Sequence, residues 1–297
     1  MRKRPFLLAA AALIGVIALA KHLHFDSRLA QQLAELRNPN LAAIKLGRYH
    51  ATQQHIAMPL QGGAEASGLA WHAPSGTLLT IAGKPSTLAQ ITPQGKVLRQ
   101  ITLHNITDPE GIEVLPDGRI ALLEERSATL VIFSLPKNNS ADLAQALRFQ
   151  LSASAPELLQ PTNKGPEGIA WDNSQQRFII AKEKPTALYA LPFNLNNNQF
   201  GALTRLRTGH LFVRDISGLS YHEGTEHWLV LSHNSSLLLE LDQAFNPVSF
   251  MSFAPLMNGM RAGIRQAEGV AITAQGDIFV VGEPNLFYAF TPHRQQP

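Results

Sequence analysis

The tract Asp108-Pro109-Glu110-Gly111-Ile112-Glu113-Val114 opens a pattern that repeats through most of the chain. A polar turn follows it, Leu115-Pro116-Asp117-Gly118. A second apolar run then spans Ile120 to Leu123, and a third spans Leu130 to Phe133. The opening phrase returns as Ser67-Gly68-Leu69-Ala70-Trp71, Glu167-Gly168-Ile169-Ala170-Trp171, Ser217-Gly218-Leu219-Ser220-Tyr221 and Glu268-Gly269-Val270-Ala271-Ile272. Its glycines lie 43, 57, 50 and 51 residues apart. One copy is a weak signal, but five copies in register with the same following runs define a repeat architecture.

Each run is short, rich in branched or aromatic residues, and bounded by Gly, Pro, Asp or Asn. Such runs are strands. A unit of about 50 residues holding three or four antiparallel strands is a propeller blade. The reading is all-β, a five-bladed β-propeller. A six-bladed ring is the alternative, but it needs an unmarked repeat and no gap is long enough to hold one. Fourth strands fit at Val97 to Leu103, Ala146 to Leu151, Leu203 to Arg207 and Val248 to Phe253. The fifth blade runs out of chain before its outer strand. Tyr49 to Met58 is otherwise an orphan strand and is expected to supply it, closing the ring. The organisation expected is a signal segment over 1–24, a linker with a short helix over 25–46, a propeller over 47–291 and a tail over 292–297.

In a blade, the start of the first strand and the end of the second share one face. Both places carry acids here. Glu110, Glu167 and Glu268 precede repeat glycines, and Glu125, Glu183 and Glu283 end the second strands of the same three blades. Glu65, Asp108 and Asp215 sit three residues before a repeat glycine. Carboxylates crowded on one rim repel each other, and some must protonate or bind a cation. Oxygen donors without Cys or His select a hard ion, for which calcium is the natural candidate. The metal candidates are therefore Glu110, Glu167, Glu268, Glu125, Glu183, Glu283, Asp108 and Asp215. A purely ion-paired rim is the alternative, because Arg126, Lys164, Lys182, Lys184, Arg214 and Arg265 fall near the same loops.

The chain has 297 residues, 45% of them hydrophobic and 16% charged, which is the profile of a globular protein. It has no cysteine, which excludes disulfides, thiolate metal sites and a cysteine nucleophile. Its net charge of +3 comes from Arg2, Lys3 and Arg4; the remainder balances 22 bases against 22 acids. No basic stripe marks a nucleic-acid partner. Those three cations precede an uncharged run from Phe6 to Ala20, followed by Lys21 and His22. The layout is that of an export signal or a signal-anchor. The expected location is the periplasmic side of the inner membrane, anchored by residues 6–23; a cleaved signal and a soluble periplasmic protein is the alternative. Leu29, Leu33 and Leu36 then mark a short amphipathic helix, either a stalk or a helix packed on the domain.

Motifs of established chemistries are absent. The sequence has no G-x-S-x-G, no H-E-x-x-H, no P-loop and no G-x-G-x-x-G. Ser67 and Ser217 are read as structural repeat residues. His222, His227 and His233 are read as surface or turn histidines, with His233 as a candidate base because it ends a second strand on the acidic rim. Trp71, Trp171 and Tyr221 share one repeat position and are read as core between blades, not as a ligand cage.

The phrases Asp108 to Glu113, Lys164 to Trp171, Asp215 to Ser220 and Gln266 to Ala271 resemble those of the SdiA-regulated, YjiK-type family. The resemblance covers roughly Ala51 to Phe290 and includes the N-terminal layout. It implies a bacterial envelope protein with a five-bladed propeller distantly related to NHL-repeat propellers. It also implies a calcium site, carried onto Glu110, Glu167 and Glu268 because they sit in the repeat phrase itself; Ser67 and Ser217 take that place in blades one and four, which excludes a symmetric ring of five carboxylates. Two function classes remain: a calcium-bearing module whose rim recognises a small molecule, glycan or envelope protein, or a calcium-dependent hydrolase resembling propeller lactonases and phosphotriesterases. A deep, partly apolar rim pocket favours the enzyme, and a shallow polar one the module.

Overall fold

A computed structural model describes residues 12–20, 25–37, 44–159, 164–208 and 211–292. Five sheets, antiparallel except for one outer pairing, are arranged around one axis. The first strand in the chain, β1 (Tyr49–Ala57), belongs to the last sheet. Blade one holds β2 (Ala66–His72), β3 (Thr77–Ala82), β4 (Thr87–Ile91) and β5 (Val97–His104). Blade two holds β6 (Pro109–Val114), β7 (Arg119–Glu124), β8 (Thr129–Ser134) and, on its outer edge, β10 (Leu147–Gln150). The intervening β9 (Ser140–Asp142) crosses to blade one and pairs in parallel with β5.

Blade three holds β11 (Pro166–Asp172), β12 (Arg177–Lys182) and β13 (Ala187–Asn194), with the short β14 (Gln199–Phe200) and β15 (Thr204–Arg205) both against β13. Blade four holds β16 (Gly218–His222), β17 (His227–Ser232), β18 (Leu237–Leu241) and β19 (Pro247–Ser252). Blade five holds β20 (Ala267–Ile272), β21 (Ile278–Gly282) and β22 (Leu286–Pro292). Its outer strand is β1, antiparallel to β22 from Tyr49 opposite Pro292 to Ala57 opposite Leu286. The two ends of the propeller are thus joined by backbone hydrogen bonds within one sheet.

The apolar core is divided among five wedges, one between each pair of neighbouring blades. This explains why the middle strands read as unbroken apolar runs. A sheet with a neighbour on each face buries both sets of alternating side chains. On β17, Leu229 faces the wedge toward blade five and Val230 the wedge toward blade three. On β21, Val280 faces blade four and Phe279 faces blade one. Each such side chain contributes about 1.5–3 kcal/mol by burial.

The repeat glycines mark the places where inner strands of adjacent blades touch. A Cβ on Gly111 would lie 2.6 Å from the Glu167 carbonyl oxygen, and one on Gly68 would lie 2.4 Å from that of Glu110. At Gly269 it would meet the Gly68 carbonyl carbon at 2.7 Å. Five inner strands converge on a narrow axis only because these positions lack a side chain. There the axis shrinks to a void of about 10 Å³, room for about one water. Two separate cavities therefore open at its opposite ends.

Residues 12–20 form one helix, α1, and Phe25–Arg37 a second, α2. Among the described residues no helix is long and apolar enough to cross a membrane. The basic residues 2–4, part of the proposed anchor 6–23 and the tail 293–297 lie outside the described residues. Helix α2 packs along β19, and it does so through its polar face. The buried Gln31 donates from Nε2 to the Leu211 carbonyl at 2.6 Å, and Glu35 Oε1 accepts the Phe250 N–H at 2.8 Å. Its Leu29, Leu33 and Leu36 point outward.

The segment that follows the helix is pinned by Glu240, which is fully buried. Its carboxylate accepts the N–H groups of Ile44 and Lys45 at 2.7 and 3.2 Å. His227 Nδ1 lies 2.6 Å from the same carboxylate. His227 is therefore a buried partner of Glu240, not the surface histidine expected.

Candidate functional site

The carboxylates come together because β-pairing places them on one face. Ala66 is opposite Ala82, Pro109 opposite Glu124, Pro166 opposite Lys182 and Ala267 opposite Gly282. The residues just before each repeat glycine and just past each second strand therefore meet at one mouth of the axis. They bound a cavity of about 560 Å³. Asp108, Glu110, Glu167, Glu183, Glu268 and Glu283 line it, with Glu65, Ser67, Lys84, His233 and Gln266. Among the described residues, no side chain in the wall is both apolar and larger than alanine.

The tightest grouping is in blade two. Asp108, Glu110 and Glu125 each offer a carboxylate oxygen, all within 4.8 Å of one another. Glu125 is buried and also accepts the Gly165 N–H at 2.7 Å. Burial, then the Glu125 carboxylate, pushes Glu110 up to about 8, against the pull of a Ser67 hydrogen bond. Burial, then Glu110 and Glu283, pushes Glu268 up to about 9. Glu167 is raised well above the usual carboxylate range by burial and by Glu183 and Glu268. These groups raise one another because each carboxylate sits in the field of the others with little water to screen it.

Cations reach the outer members of the set. Lys184 Nζ is 2.7 Å from Glu183, and Arg126 Nε is 3.4 Å from Asp108. Among the described residues, neither Glu110 nor Glu167 has an ion-pair partner. Lys164 and Arg265 make no ion pair among the described residues either, and Arg214 pairs with Asp26 of α2 instead. The Lys182 ammonium is buried against the Lys184 carbonyl.

Asp215 has a different position from its repeat-mates. It is wholly buried and saturated by hydrogen bonds from the Ser232 hydroxyl, the Asn234 N–H and the Asn234 side-chain amide. It braces the β17–β18 turn. His233 Nδ1 lies 3.2 Å from Asp215 and 3.6 Å from Glu268, which places this ring on the wall. Lys84 was not legible as a site residue, although its register position matches those of Arg126 and Lys184, which would have pointed to it.

Trp71, Trp171 and Tyr221 pack in the wedges between blades, as expected of inter-blade core. Trp171 packs on Phe178, at 4.9 Å between ring centroids, and Trp71 stacks on Phe279 at 6.2 Å. All three also border the cavity at the opposite mouth of the axis. Strands end there, so side chains three residues past each repeat glycine lie at the mouth.

The molecule is thus a five-bladed propeller with a carboxylate-walled funnel at one end of a pinched axis. The chain belongs to the SdiA-regulated family, whose model matches residues 42–291. Solved structures similar to it are distant. The luciferin-regenerating enzyme is 11% identical, with 81% of this chain and 96% of that one covered and a TM-score of 0.48. Virginiamycin B lyase from Staphylococcus aureus is 14% identical over 79% and 68% of the two chains, with a TM-score of 0.43. A protein of unknown function from Bacteroides caccae is 13% identical over 78% and 80%, with a TM-score of 0.44.

Proposed function

We propose that this chain is a calcium-binding module of the bacterial envelope, with Asp108, Glu110 and Glu125 as the core of the metal site. The observation that carries this reading is the convergence of their three oxygens within 4.8 Å, at a wall where Glu110 has no cationic partner among the described residues. A hard divalent cation suits an all-oxygen donor set and offsets the repulsion that otherwise holds protons on these carboxyls. Glu167 and Glu268 line the same cavity and would add negative charge around the ion. Glu183 and Glu283 complete an acidic wall, and Asp215 supports it from behind. An ion-paired rim accounts for Glu183 and Asp108 but not for Glu110 and Glu167.

The funnel supports a binding role over hydrolysis. Its wall is polar and charged, so it offers a partner ionic and hydrogen-bonding contacts and no apolar pocket for an ester or lactone. The ligand class that fits is a polar or cationic molecule, or a protein segment of that chemistry. One feature favours the hydrolytic alternative: the His233 ring lies on the wall, 3.2 Å from Asp215 but without a hydrogen bond to it, and a histidine there is a candidate general base. A calcium ion there would supply electrophilic polarisation of a bound oxygen. A lactone and phosphotriester panel with His233→Ala as control separates the two, since calcium-dependent turnover lost in that variant would replace the module reading.

The envelope location rests on the N-terminal layout and on α2. An amphipathic helix that spends its polar face on the protein presents its apolar stripe to something else. Phe25, Leu29, Leu33 and Leu36 are 48–73% exposed. A bilayer surface is the occupant that fits, because the stripe follows directly on the apolar run of residues 6–20.

Calcium is tested on the purified full-length protein by metal analysis and thermal unfolding. Calcium at about 100 times its dissociation constant should add about 2.7 kcal/mol, a rise on the order of 5–10 °C. Glu110→Gln should abolish the rise. An unchanged melting temperature together with absence of bound metal would overturn the proposal.

A further inference from the structure

We propose that the cavity at the other mouth of the axis is a binding site for a compact organic cation, an alkylammonium or quaternary ammonium ion. This cavity is distinct from the acidic funnel, from which the pinched glycine waist separates it. Its volume is about 290 Å³, near the lower end for small-molecule sites. All five blades contribute to its wall.

Three features select the ligand class. Trp71, Trp171 and Tyr221 come from three blades and supply aromatic surface. Cations are attracted to the electron-rich faces of such rings, Trp most strongly. Glu113 supplies the countercharge. Its Oε1 accepts the Val114 N–H at 2.7 Å and its Oε2 the Trp171 N–H at 3.2 Å. A carboxylate has about four acceptor sites, so each oxygen retains capacity for a ligand. Finally, among the described residues no lysine or arginine lines the cavity, and Glu223 adds a second acid. His222 also faces it, with Nδ1 2.9 Å from the Thr225 hydroxyl. Burial lowers the pKa of this ring, which keeps it neutral, so it does not compete with a cationic guest.

The site also predicts a proton linkage. Burial pushes Glu113 up to about 7, against the pull of its two N–H partners. The titratable lining groups that face it are Tyr221, His222 and Glu223. Tyr221 is raised and His222 lowered, chiefly by burial, so both remain neutral near pH 7. A bound cation favours the ionised form of Glu113, so binding should release a proton and tighten as pH rises from about 6 to 8.

The test is a titration of the full-length protein with choline, read by intrinsic fluorescence. Two of the three tryptophans, Trp71 and Trp171, line the cavity. Saturable quenching is expected. The neutral isostere 3,3-dimethylbutan-1-ol should bind about tenfold more weakly or worse, the worth of about 1.4 kcal/mol. Glu113→Gln should weaken choline binding by at least about tenfold. Tyr221→Leu, which keeps the charge intact, should weaken it by a smaller factor and guards against misfolding of the glutamate variant. Equal affinity for choline and its neutral isostere would overturn the cation assignment. So would the absence of saturable quenching with choline. Calcium binding at the funnel is read separately, so either site can fail without the other.

Discussion

The single residue that most constrains this molecule is the repeat glycine. At Gly111 the obstacle to a side chain is the backbone of the next blade, the Glu167 carbonyl, not a flexible side chain that can swing away. Gly111→Ala must therefore push two inner strands apart. The expected cost is about 1–3 kcal/mol, seen as a melting temperature lowered by roughly 2–12 °C. Unchanged unfolding in Gly111→Ala would show that the waist is looser than described. The acids beside these glycines follow a different logic. Glu110 and Glu268 reach the mouth because the glycine next to each lets the strand approach the axis, so the tight waist and the crowded carboxylates share one local cause.

At the scale of elements, two pieces of chain before the first repeat have separate duties. Strand β1 supplies the hydrogen-bonding partner that β22 would otherwise lack, which removes an exposed edge. Helix α2 shields β19 of blade four, and its polar contacts with Leu211 and Phe250 leave its leucines outward. A protein beginning at residue 25 should therefore still float with lipid vesicles. Replacing Leu29 and Leu33 together by aspartate should abolish flotation with no loss of folding, since neither side chain supports the propeller. Retained flotation of that double variant, or absence of flotation in the parent, would remove the bilayer as the occupant of this stripe.

At the scale of the whole molecule, the funnel predicts an unusual pH response. The folded-state values of Glu110 and Glu268, about 8 and about 9, exceed the ordinary 4.5 of the unfolded chain. Between those limits the folded state binds more protons, so stability falls as pH rises. Below about pH 4.5 the dependence from these groups vanishes, because both states are protonated. With chelator present, the melting temperature should decline steadily from about pH 5 to about pH 9. Calcium should flatten the decline and release protons on binding, detectable by calorimetry in buffers of different ionisation enthalpy. A chelated protein whose stability rises over this range would contradict the description of the funnel.

Much of this architecture is written in local pattern. Strand length, branched residues, turn chemistry and the glycine period are properties of neighbouring residues, and they sufficed for five blades and for a closing strand ahead of the first repeat. The acids of the rim were also legible, because antiparallel pairing assigns a face to every position once register is known. Register alone did not reveal which acids touch. Asp108, Glu110 and Glu125 converge, whereas Asp215 turns inward to Ser232 and Asn234, because its blade offers those polar partners and the others do not. Nor did it reveal that His227 is sequestered by Glu240 across two strands, or that an amphipathic helix would dock by its polar side. The second cavity belongs to the same class. Trp71, Trp171 and Tyr221 are apolar side chains at one repeat position, indistinguishable from core along the chain, and only closure of the ring brings them around Glu113. Local pattern specifies backbone path and facing, but contacts between side chains far apart in sequence exist only once the ring has closed.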